Sequence, residues 1–296
     1  MLSRLLARFA RFLFESHDAR RMRRQPLDAS DLTVQADIPY IADATPEHLL
    51  DIYRPNGGAE DLPVIINIHG GGLFASYKTV NTFFNYEWAR LGYTVVSLSY
   101  RRLPDTTLVH QIRDIMAALR FIRDHRQQYS LNLDRCYLTG DSAGALLAFY
   151  ALSLEGSADL QRAFGIEPSG IRFRAAALIS IMLHTSRRDM LFFLKHIVAA
   201  PDEAGAPYLP YIYGPESMVS IAQLPPLQLV TSAEDIIRTD TLDCERLLTD
   251  AGVPHHLLDF PKGKQTRLEH VFSVLYPLLP ESRQVYTTID SFFRTS

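Results

Sequence analysis

Cysteine is scarce: Cys136 and Cys244 are the two in 296 residues. Two thiols give no disulfide framework, and nothing in the chain asks for an oxidising compartment, so it reads as cytoplasmic. Cys136 falls in a predicted strand and reads as a small buried hydrophobe. Long apolar runs are missing as well, which excludes a membrane-spanning helix. There is no internal repeat and no low-complexity stretch. No sign of charge dominates: the net charge is −3, too small for a global field that gathers nucleic acid or other polyanions. The apolar fraction of 47% is that of an ordinary globular chain, and at this length one domain can bury a sizeable core.

What the chain does have is two glycine motifs, each behind a strand. Gly140-Asp141-Ser142-Ala143-Gly144 has the form of a nucleophile elbow. Arg135 to Thr139 reads as a short buried strand before it, and Ala145 to Leu152 as a buried helix after it. A Cβ at Gly140 or Gly144 would clash with the neighbouring strand or helix in so tight a turn. Upstream, His69-Gly70-Gly71-Gly72 follows the β-branched run Val64 to Ile68. Three successive glycines let backbone N–H groups face a small ligand atom without side chains in the way. The pair of motifs places the Ser142 hydroxyl beside backbone donors, the N–H groups of Gly71, Gly72 and Ala143. That is the equipment for acyl transfer.

In α/β-hydrolases the nucleophile is followed by an acid and then a histidine. The acid belongs just past a strand after the serine. Leu227 to Thr231 is such a strand, with Glu234 and Asp235 behind it; Asp240 lies one turn further on and reads as helix-face or surface. The base belongs after the next strand, Leu257 to Phe260. His270 stands there, whereas His255 and His256 precede or open that strand. Adjacent strand residues point to opposite faces, so the His255-His256 pair is no metal site. No metal and no cofactor is expected.

With these residues in place, the chain resembles the hormone-sensitive-lipase-like branch of the α/β-hydrolases, which contains bacterial acetyl esterases and related carboxylesterases. The resemblance covers roughly residues 48 to 294. It rests on Leu50-Asp51-Ile52-Tyr53-Arg54-Pro55, on the two glycine motifs, on the D-x-I-x-x-D spacing from Asp235 to Asp240, and on His270. It implies that Asp235, the first acid of that spacing, is the partner of His270, and that Gly71 and Gly72 serve the oxyanion. Two segments depart from the family: Tyr100-Arg101-Arg102-Leu103-Pro104-Asp105 where Y-R-L-A-P-E is common, and His270-Val271-Phe272 where His-Gly-Phe is common.

Strands and helices alternate along the chain, which predicts an α/β fold: a mostly parallel sheet of about eight strands flanked by helices. Tyr93 to Tyr100 and Ala175 to Ile181 read as further strands; Val109, Ile112, Met116, Leu119 and Ile122 mark one face of a long helix; Asp240 to Asp250 and Ser282 to Phe293 read as helices. Residues 31–296 form one catalytic domain in this reading. Residues 1–30 are set apart by Leu2, Leu5, Leu6, Phe9, Phe12 and Leu13 at helical spacing among arginines. Without a cleavage site they do not read as a secretory signal. They fit a helix covering the active site, an interfacial helix touching anionic lipid, or a loosely ordered basic tail. The stretch 184–224, rich in aromatics and proline, is read as a cap insertion, with Phe74, Phe192 and Tyr211 as substrate-contacting residues. His184, Arg187 and Arg188 either meet a polar substrate group or are solvated.

The reading is a serine hydrolase of small or short-acyl carboxylic esters. Two alternatives stay open: an amidase, formamidase or peptidase using the same parts, and a ligand-binding module on an inactive hydrolase scaffold.

Overall fold

Strands covered on both faces carry near-continuous apolar runs, and the inner strands here are buried at nearly every position. In the structure, a computed structural model that describes residues 2–24, 28–57, 61–185 and 197–296, the expected mostly parallel sheet is present. Its eight strands are β1 (Leu32–Pro39), β2 (Leu49–Pro55), β3 (Pro63–Ile68), β4 (Thr94–Leu98), β5 (Asn132–Asp141), β6 (Phe173–Ile179), β7 (Leu227–Ser232) and β8 (His255–Phe260). They lie in the order β1-β2-β4-β3-β5-β6-β7-β8. The pairings are parallel from β4 through β8, and β1 and β2 are added antiparallel at one edge.

The helices are α1 (Leu2–Arg24), α2 (Thr82–Arg90), α3 (Leu108–Asp124), α4 (Ala143–Glu155), α5 (Ala158–Phe164), α6 (Leu209–Tyr213), α7 (Arg238–Asp250), α8 (Phe272–Leu275) and α9 (Pro280–Thr295). Side chains alternate across a strand, so the two faces feed two cores. Ile66, Val96, Leu138 and Leu178 pack with the buried stripes of α3 and α4. Their neighbours Ile65, Val95, Tyr137 and Ala177 pack with Trp88 of α2 and Tyr286 and Phe293 of α9. The α3 stripe predicted from Val109 to Ile122 is buried along its length. Asp240 lies on a helix, as expected, but not on the surface. It is fully buried and accepts the His184 N–H at 3.0 Å.

This strand order decides where a ligand can bind. From β3 the chain moves to β4 on one side and returns as β5 on the other. Connections leaving neighbouring strands in opposite directions open a crevice at their carboxyl ends. The glycine loop leaves β3 at that point, and Ser142 leaves β5 beside it.

Of the stretch 184–224, residues 186–196 lie outside the described residues, and Arg187 and Arg188 with them. The remainder packs down onto the body: Ile212 and Met218 are buried, and the Tyr150 hydroxyl donates to the Tyr211 carbonyl at 2.6 Å.

Candidate active site

Ser142 sits between the end of β5 and the first turn of α4 with φ 52° and ψ −117°. A side chain rarely adopts that backbone region, and the surroundings hold it there. The Ser142 N–H donates to Ile179 O at 2.8 Å, and Ser142 O accepts from Met182 N at 3.2 Å. The glycines are needed for contact, as expected. A Cβ on Gly144 would lie 2.1 Å from Ile68 O, and one on Gly140 2.5 Å from Gly144 O. Backbone cannot yield as a flexible side chain does. Gly144→Ala is therefore expected to cost about 1–3 kcal/mol through forced separation of α4 from β3. A urea midpoint equal to that of the parent protein would contradict this.

Gly71 and Gly72 take φ 115° and 61°, conformations that suit glycine. Among the described residues no acceptor takes the N–H groups of Gly71, Gly72 or Ala143. That of Ala143 opens α4, where a helix has unpaired donors and a positive dipole end. Behind the loop, His69 is fully buried and stacks on Tyr100 with centroids 4.5 Å apart. Burial pushes its imidazole down to about 3, so it is neutral and supports the loop without charge.

His270 follows β8 and reaches back across the carboxyl ends of the strands. Its Nε2 lies 2.9 Å from Ser142 Oγ and its Nδ1 2.8 Å from Asp235 Oδ1. Asp235 follows β7 and is buried. Burial works against its ionisation, but the hydrogen bond and charge of His270, with Ser180 and the Ile237 N–H, outweigh it and hold the carboxyl below the usual carboxylate range. Glu234 points elsewhere: its Oε2 accepts from Gly263 N at 3.0 Å and Leu268 N at 2.8 Å, pinning the loop that leads to His270.

One participant escaped the sequence reading. Asp141, inside the elbow motif, accepts on one oxygen from Gly70 N at 3.1 Å and Asn81 Nδ2 at 2.7 Å. It ties the elbow to the glycine loop. The signal was its place beside Ser142, but nothing in the local string names its distant donors. Burial pushes its carboxyl up to about 6, against those hydrogen bonds. A carboxyl raised in the fold keeps a proton that the unfolded chain has lost. Its contribution to stability therefore falls as pH rises from about 4 to about 6 and stays low above that. Asp141→Asn keeps an acceptor for both donors and removes the titration. Relative to the parent, the variant is expected to gain unfolding free energy across that window and hold the gain above it, in urea titrations at stepped pH. A difference that does not change with pH would show that the carboxyl titrates normally.

Of the sequence-proposed substrate contacts, Phe74 and Tyr211 pack in different places. Phe74 is fully buried under α1, edge-on to Phe14 at 5.4 Å and against Gly72. Tyr211 stacks on Phe164 at 6.0 Å, beside Tyr150 two turns along α4 from Ser142. Phe192 lies outside the described residues. Helix α1 grips the rim of the glycine loop: Arg11 Nε donates to Phe74 O at 2.6 Å, Ser76 Oγ donates to Asp18 at 2.8 Å, and Arg21 reaches Val80 O and Leu275 O, each at 3.2 Å.

Known proteins are similar to this chain in sequence and fold. A family model described as BD-FAE matches residues 50–181, the stretch holding both glycine motifs. Esterase B from Lactobacillus rhamnosis, solved with a tributyrin phosphonate, has a TM-score of 0.92 and 26% identity over 99% of this chain and 95% of that one. The chain has the α/β-hydrolase fold and is similar to esterases. This chain is 28% identical to esterase LipQ of Mycobacterium tuberculosis over 252 residues, 79% of this chain and 59% of the relative. It is 28% identical over 103 residues to a probable isoprenylcysteine alpha-carbonyl methylesterase of Arabidopsis thaliana, 35% of this chain and 22% of the relative. It thus spans less than two thirds of the length of these curated relatives. The departure at the histidine has a structural counterpart: Val271 stands at φ 51° and ψ 31°, a region that favours glycine.

Proposed function

We propose that the protein hydrolyses small, short-acyl carboxylic esters, with Ser142 as nucleophile, His270 as general base and acid, and Asp235 orienting His270. The observation that carries this reading is the continuous line from Asp235 Oδ1 through the His270 ring to Ser142 Oγ, 2.8 Å and 2.9 Å, beside three N–H groups with no acceptor among the described residues.

Ser142 Oγ attacks the acyl carbon as its proton passes to His270 Nε2. The carbonyl π pair moves onto oxygen, which takes hydrogen bonds from Gly71, Gly72 and Ala143. Each such donor is worth about a hundred- to a thousandfold in turnover. When the tetrahedral centre collapses, the C–O bond to the alcohol breaks and that oxygen takes the proton from His270. Water then gives a proton to His270 and adds to the acyl-enzyme. Collapse returns the proton to Ser142 Oγ and releases the acid. Asp235 keeps a proton on Nδ1, so that Nε2 is the free acceptor, and stabilises the imidazolium.

The acyl range is supported by the tributyrin phosphonate on esterase B, since tributyrin is a short-acyl ester. Initial rates of the purified protein on p-nitrophenyl esters of graded length test it. The expected result is fastest turnover at acetate to butyrate, with a matched anilide far slower and a fluorophosphonate labelling Ser142. Faster cleavage of the anilide would make the protein an amidase. Absence of both labelling and turnover would make it a binding module.

A further inference from the structure

The outer face of α1 runs against the rule that a docked helix turns its polar side to water. Leu2, Leu5, Phe9, Phe12 and Leu13 are between 50% and 70% exposed. At 100° per residue they share one sector, opposite Ala7 and Arg21, which are buried against the body. Single exposed apolar residues are ordinary, but a contiguous patch of this kind marks a surface built to be covered.

The charges on the helix indicate what covers it. Its two acids turn inward, Glu15 to Arg102 and Asp18 to Ser76. Arg20 and Arg23 are exposed and fall in the same angular sector as the apolar row, beyond its end. The outward surface of α1 is therefore apolar over its first half and cationic over its second. A second copy laid antiparallel along the whole helix would set these arginines on the leucines of its partner. A layer of acyl chains bearing anionic headgroups accepts both halves at once.

We propose that α1 lies flat on an anionic lipid surface, its leucine and phenylalanine row among the acyl chains and Arg20 and Arg23 on the headgroups. No helix among the described residues is long and apolar enough to cross a membrane, so the contact is in the plane of the surface. The same helix is bonded through Arg11 to Phe74 O, two residues beyond Gly72, and through Asp18 to Ser76. Docking there fixes the mouth of the Ser142 site against the lipid phase. That esters dissolved in lipid are the substrates rests on the function proposed above; the binding itself does not.

The test is co-sedimentation of the full chain with vesicles of phosphatidylcholine alone and of equal parts phosphatidylcholine and phosphatidylglycerol, at low and high salt. Strong binding to the anionic vesicles, weakened by salt, is expected. The double variant Phe9→Ser with Phe12→Ser should bind about tenfold or more weakly, because it removes two large apolar side chains from the contact. Arg20→Gln with Arg23→Gln should lose most of the preference for phosphatidylglycerol. Both variants should hydrolyse soluble p-nitrophenyl acetate at the rate of the parent, so a failure of the esterase reading shows up separately. Equal sedimentation of parent and Phe9→Ser/Phe12→Ser protein overturns the proposal. So does a parent that ignores vesicles but elutes as a dimer which the double variant converts to monomer, because α1 then pairs with a second copy.

Discussion

Replacing Ser142 by alanine is expected to lower ester turnover by about 10⁴- to 10⁶-fold, to the level that N–H donors and binding alone sustain. The size of the loss follows from the geometry. His270 Nε2 has its hydrogen bond to Ser142 Oγ, and without that oxygen the imidazole has no nucleophile to activate. The fold should survive. The backbone bonds from Ser142 N to Ile179 O and from Met182 N to Ser142 O are untouched, and one buried hydroxyl leaves little space. Circular dichroism and a urea midpoint check the fold; initial rates on p-nitrophenyl acetate, with fluorophosphonate titration of residual active protein, check the chemistry. A variant within about a hundredfold of the parent would mean that another group carries the reaction.

Asp235→Asn is expected to cost about 10⁴-fold at almost unchanged geometry. The amide is the size of the carboxylate, but it can offer an N–H toward His270 Nδ1. That favours the tautomer with hydrogen on Nε2, which has no lone pair for the serine proton, and it removes the charge that stabilises the imidazolium. The sequence left Glu234 beside Asp235 as a rival, and this experiment separates them. Glu234 holds the N–H groups of Gly263 and Leu268, so Glu234→Gln should change rate less than about tenfold while loosening that loop. Asp240 holds the His184 N–H in the core; Asp240→Asn should act on stability first. If Glu234→Gln rather than Asp235→Asn carried the loss, the acid assignment would be wrong.

The elbow, the glycine loop and the order serine–acid–histidine could be read directly because each is a local pattern with a steric cause. A Cβ at position 144 would strike the Ile68 carbonyl, and no other residue type removes that contact. The parallel core was readable for a similar reason, since strands covered on both faces show unbroken apolar runs. The antiparallel edge was not: β1 is exposed at most positions and carries no such run. Long-range polar ties were equally silent. Asp141 finds Asn81 and Gly70 some 60 and 71 positions away, and Arg11 finds Phe74 across 63. No spacing rule reports such partners, because the fold and not the string sets their distance. The apolar spacing of α1 was visible from the start, but its sign was not. Only the docked helix shows that Ala7 faces inward while Leu2, Leu5, Phe9, Phe12 and Leu13 face outward.

Ser142 and His270 are 128 positions apart, and the bond between them spans the carboxyl ends of β5 through β8. No fragment that stops short of β8 holds both. Regained turnover during renaturation therefore requires the last strand and the loop behind it to be in place, whereas a far-ultraviolet signal records helix content wherever in the chain it forms. A chain that is mostly native but frayed at that border should look intact to spectroscopy and be silent as an enzyme.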